Sequence, residues 1–134
     1  MTVPNPAMLQ RYLADSVATA SPAKLLVMLY DRLVLDLNRS EEALRVGDRT
    51  TANQQLVHAQ DIVLELRTSL KVDAWDGADR LAQIYTFLIT ELIGANVKAD
   101  ADRVASCRRL VEPLRDAWRE AALSVAAASA SGTG

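Results

Sequence analysis

The stretch that most restricts how this chain can fold is Ser21–Tyr30, SPAKLLVMLY. Ser21 can cap a helix, its hydroxyl accepting from an orphan backbone N–H of the first turn. Pro22 suits the first helical position, where its missing N–H has no partner to lose. Six apolar or aromatic residues then follow without interruption, Leu25–Tyr30. A surface helix needs one apolar stripe. This run wraps the whole circumference, so the helix it opens has to be covered on several sides, by its own bundle or by a partner.

The rest of the chain supplies matching stripes. The first helix is predicted over Pro22–Val46, with Leu26, Leu29, Leu33, Leu37, Ser40 and Leu44 on its core face. Val27, Tyr30 and Val34 form a second strip, and Leu25, Met28 and Leu35 a third. Gly47 ends the helix, and Asp48 or Thr50 caps a second one reaching Leu70, with Leu56, Ala59, Val63, Leu66 and Leu70 inward. Residues 71–77 read as a loop. A third helix covers Asp76–Lys98, on the stripe Leu81, Tyr85, Leu88, Leu92, Ala95. Asp100 caps a fourth that runs to Val125, on the stripe Val104, Cys107, Val111, Leu114, Trp118, Ala121. Pro113 lies inside it and predicts a kink or a local break near Arg109–Pro113, because proline removes a backbone bond and crowds the preceding turn. The expected fold is all-α: an up-down antiparallel four-helix bundle over 22–125. An N-terminal flap and connector (1–21) precede it and a disordered small-residue tail (126–134) follows. Within the flap Asn5-Pro6 starts a short helix that brings Leu9, Tyr12 and Leu13 to one side. It is too short to persist undocked, whether it is fixed on the core or lifts to meet a partner.

Composition excludes several function classes. With 15 basic and 17 acidic residues well mixed, no basic patch suggests nucleic acid. The N-terminus lacks the pattern of a secretory signal, and no apolar run approaches the roughly 18 residues of a membrane span. One cysteine, Cys107, forms no intrachain disulfide and fits a reducing cytosol. Catalysis has no visible basis: no phosphate loop, nucleophile elbow or metal-binding set occurs, so no catalytic residue, metal or cofactor is expected. His58, the one histidine, points away from the core stripe. It reads as a solvated side chain, with a histidine phosphotransfer module as the alternative from a different class.

Surplus apolar surface is what asks for an explanation. Val57 and Leu64 lie a heptad apart, off the core stripe of the second helix, with Gln60 between them. Ile89 and Ile93 lie off the stripe of the third, beside Asn96. They either fill flanking core positions or form a groove for an amphipathic partner helix; a self-associating structural bundle would use the same strips. Burying four such side chains contributes ~6–12 kcal/mol gross, against ~2–5 kcal/mol or more to order a disordered partner. A useful complex therefore has to wrap more than one groove.

Four segments in order, ASPAKLLVMLYD after Tyr12, LVHAQDIVLELRTSL, IYTFL with ELIGANVKAD, and LRDAWREA, resemble the flagellar secretion chaperone FliS family across Tyr12–Ala122. The resemblance implies a cytosolic helical bundle without enzymatic activity, a monomer or weak homodimer when alone. It would bind the C-terminal segment of flagellin, hold it unpolymerised and deliver it to the export gate protein FlhA. The client surface expected here is Val57, Gln60, Leu64, Ile89, Ile93 and Asn96, together with Tyr85. Leu9 and Tyr12 of the flap would cover a client pocket or meet the gate. The chain departs from the family pattern in having Tyr85-Thr86-Phe87 where Tyr-x-Tyr is common, Thr90-Glu91 where a basic pair is common, and Pro113 within the fourth helix.

Overall fold

The computed structural model describes residues 22–71, 73 and 75–132, with side chains to 127. The flap residues Leu9 and Tyr12 lie outside the described residues. Four helices follow in order: α1 (Pro22–Arg45), α2 (Arg49–Ser69), α3 (Ala78–Lys98) and α4 (Ala101–Gly132). Each packs on the next, and α4 returns to α1, so the cross-section is a square with α1 and α3 on one diagonal. The contacts of α1 with α4 and with α2 are the most extensive, and the α3–α4 seam is the slightest.

Local chemistry explains the breaks. Gly47 takes a positive φ of 78°, and the next helix is capped by Asp48, whose Oδ1 accepts from Thr51 N at 3.1 Å. Of the two candidate caps, Asp48 is the one used. Asp100 caps α4 in the same way, its Oδ1 accepting from Arg103 N at 3.0 Å. Between α3 and α4 the left-handed position falls on Ala99 (φ 52°), and Asp100 N closes the turn onto Ala95 O at 2.9 Å.

The core is built from the expected stripes, with corrections. Leu33, Leu37, Leu56, Ala59, Val63, Leu81, Leu88, Leu92, Val104, Cys107 and Val111 are buried. Tyr30 and Val34, assigned to a second strip, are buried too. Because α1 is flanked by both α2 and α4, its inward face is broader than one stripe. Leu25, Met28 and Leu35 remain exposed. In α4 the stripe fades beyond the partly buried Trp118, and Ala121 is exposed.

Two further corrections concern α4. The helix runs unbroken through Pro113, so the local break does not occur. Pro113 and Arg109, whose carbonyl would have received the missing N–H, both carry exposed side chains, so water can satisfy that carbonyl without interrupting the helix. The helix also continues to Gly132, past the expected end at Val125. Its alanine-rich last turns have high intrinsic helix propensity.

Ion pairs fasten the seams at their rims. Arg45–Asp102 (3.2 Å), Arg108–Glu41 (3.2 Å) and Arg119–Asp31 (2.7 Å) line the α1–α4 seam. Exposed pairs contribute little energy each, and only Arg108–Glu41 is part-buried, but three in sequence agree on one register. Across α3–α4, Arg103 pairs with Glu91 and holds its carboxyl below the usual value. Gly94 makes this possible: a Cβ there would overlap the Arg103 guanidinium. The acidic Thr90-Glu91 departure is thus neutralised inside the fold.

Candidate functional site

Helices α2 and α3 run side by side, and Asn96 Nδ2 donates to Asn53 Oδ1 at 2.8 Å. That bond fixes their antiparallel register. Reading along it, Val57 comes level with Leu92 and Ile93, Gln60 with Ile89, and Leu64 with Tyr85 and Thr86. Val57 is 43% exposed, Ile93 47% and Leu64 51%. Gln60, Ile89 and Asn96 are half-buried, and Ile89 also packs against the core. Six of the seven side chains expected at a client surface are therefore carried on the adjoining α2 and α3, three of them exposed and apolar, with the two asparagines joined at one end.

Tyr85 does not belong to that groove. It is 2% exposed, and its hydroxyl shares a 2.6 Å hydrogen bond with that of Tyr30 across the diagonal of the bundle. Burial raises the pKa of both phenols, so both stay protonated. The Tyr85 ring instead forms part of the floor of a second concavity, of about 380 Å³, at the opposite end of the bundle. Leu26, Leu29, Leu66, Leu70 and Trp118 make its apolar wall, and Pro22, the first residue of α1, is at its edge. Trp75 stands edge-on to Trp118 with ring centroids 6.4 Å apart. The sequence assigns Trp118 to the core stripe of α4 and predicts no cavity here; the signal it does carry is the excess of apolar residues at the start of α1, while the part supplied by the 71–77 loop is not legible in helical periodicity.

His58 is not simply solvated. It is half-exposed, but its Nδ1–H donates to Oδ2 of Asp36, a carboxylate with no exposure at all. Arg32 Nε donates to the other oxygen at 3.0 Å. The histidine therefore ties α2 to α1. The signal for Asp36 was present: it stands three residues after Leu33 and four before Ser40, on the inward face. Cys107 is buried as expected, and burial pushes its thiol up to about 11. Among the described residues no group of three or more His, Cys, Asp or Glu side chains could hold a metal ion, and no helix is long and apolar enough to cross a membrane.

The four helices, with the one histidine engaged in tying two of them together, place the protein in the class of all-α four-helix bundles. Comparison with known sequences is more specific. The family model described as "Flagellar protein FliS" matches residues 5–125. The chain is similar to the "Flagellar secretion chaperone FliS" of Bacillus subtilis (strain 168), 31% identical over 90% of this chain and 89% of the relative. To that of Vibrio cholerae it is 30% identical, over 78% of this chain and 77% of the relative. A solved structure titled "Crystal structure of flagellar chaperone from bacteria" superposes with a TM-score of 0.72 at 21% identity, covering 90% of this chain and 99% of that one, and supports the fold. The chain belongs to the FliS family of flagellar chaperones, a non-enzymatic family.

Proposed function

We propose that this protein is an export chaperone acting in the cytosol, whose client is the C-terminal segment of flagellin. It holds that segment against premature polymerisation and delivers it to the flagellar export gate protein FlhA. The observation that carries the reading is the row of large apolar side chains left half-exposed along α2–α3, Val57, Leu64 and Ile93, in a chain of a flagellar chaperone family. A disordered client folding on the bundle would cover this row with the apolar face of a helix. Without client the protein is a monomer or weak homodimer. Pro22, the first residue of α1, lines the Trp118 cavity. Leu9 and Tyr12 are the side chains we assign to cover that cavity or to meet the gate.

Gel filtration with a synthetic peptide of the flagellin C-terminal segment tests the assignment. The parent protein is expected to co-elute with the peptide. Leu64→Glu and Ile93→Glu, each bringing a charge into the groove, are expected to lose it while keeping parental helicity by circular dichroism. Undiminished binding by both variants would place the client elsewhere.

A further inference from the structure

The α2–α3 groove changes character at the end away from the tryptophans. One turn before Val57 stands Asn53, and just beyond Ile93 stands Asn96. Their carboxamides are joined by one hydrogen bond. A carboxamide carries two donor hydrogens and a carbonyl oxygen with two lone pairs. The single bond therefore leaves the amide hydrogens of Asn53 and the Oδ1 of Asn96 with no hydrogen-bond partner among the described residues. Turning both amides over leaves the same complement, one amide donor beside one carbonyl acceptor. The pair is also held in place. Asn96 O accepts from Arg49 Nη2 at 3.1 Å and from Ala99 N at 3.4 Å, where α3 turns out of its helix. A cavity of about 560 Å³ opens directly over the two side chains, between Arg49, Gln54 and Val97.

A donor next to an acceptor, fixed on two different helices, complements the C=O and N–H of one residue of an extended chain, which point to the same side, the C=O toward the Asn53 amide and the N–H toward Asn96 Oδ1. A helical client has no such pair to offer, because its backbone bonds are closed internally. We propose that the Asn53–Asn96 pair clamps the C=O and N–H of one client residue where the client backbone leaves the helical conformation, and that Arg49 is the positioning residue that holds Asn96 for this contact. The inference rests on the client reading above. It assigns the client two conformations: an amphipathic helix over Val57, Ile93 and Leu64, and extended chain over the asparagines. The clamp sets the register that a purely apolar groove leaves free to slide.

The test is titration of the same synthetic flagellin peptide, and of a series of its analogues each carrying one backbone ester in place of an amide. Asn53→Ala and Asn96→Ala each remove one hydrogen bond to the client and are each expected to weaken binding about fivefold, and the double variant, which removes both, about tenfold or more. Esters at one or two adjacent client positions are expected to weaken binding to the parent protein but to cost nothing further in Asn96→Ala. A merely structural role for the pair would not produce that coupling. If the parent binds and Leu64→Glu does not, yet both asparagine variants bind within about twofold of the parent, the clamp is overturned and the client reading stands. If the parent itself fails to bind the peptide, the client reading falls and the clamp with it.

Discussion

At the scale of single residues, the Asp36 site combines a fully buried charge with two half-exposed partners. Arg32 and His58 each keep about half of their side-chain surface in water. The asymmetry decides what substitution does. Asp36→Ala releases two cationic or polar groups that rehydrate, and is expected to cost about 1–3 kcal/mol, the range for lost hydrogen bonds to a charged group. Replacing both partners, Arg32→Ala with His58→Ala, leaves an unpaired carboxylate inside the bundle and is expected to cost about 3–5 kcal/mol. Urea unfolding at neutral pH checks the ranking; a double variant as stable as Asp36→Ala would show that water already solvates the carboxylate. The same site marks a limit of reading by pattern. Heptad logic sorts positions by hydropathy, so an inward aspartate is sorted outward, and its partner His58 is then left facing solvent. Tyr30, on the second strip of α1, proves to be a flanking core position. Its ring lies off the narrow stripe of α1, and only the flanking of α1 by two helices brings it inside, where it meets Tyr85. The exposure of Val57, Leu64 and Ile93 was legible because each is an apolar residue standing off its helix's core stripe.

At the scale of the element, α4 tests how far local rules carry. Its start was readable to the residue, since Asp100 is a side chain whose geometry caps a helix and little else. Its middle was not, because the effect of Pro113 depends on whether the freed carbonyl of Arg109 reaches water, and that is a property of the packed bundle. Since both residues lie on the outer face, the proline still carries its intrinsic penalty without any compensating contact. Pro113→Ala restores a backbone N–H and relieves the crowding, and is expected to stabilise the protein by about 1–3 kcal/mol. Thermal unfolding should show a raised midpoint; an unchanged or lowered one would mean that a bend at Pro113 is needed for α4 to pack on α1.

For the whole molecule, the four helices are unequal. The most extensive contacts are those of α1, while the seam of α3 with α4 is the slightest and depends on Arg103 lying over Gly94 to reach Glu91. Openings that separate α3 are therefore expected before those that expose α1. Native-state hydrogen exchange should find the amides of α3 exchanging through sub-global opening, and the central amides of α1 only through complete unfolding. Equal protection in the two helices would show that the bundle opens as one unit. The helix count and antiparallel order were legible from four stripes and short capped breaks. The inequality was not, since it arises from which faces meet. Cys107, on the inward face of α4, turns that inequality into a clock. A thiol reagent too large to enter the closed bundle advances only when α4 is uncovered, and each advance is permanent. In a sample left with such a reagent, the fraction of chains labelled at Cys107 is a cumulative record of how many have opened at least once.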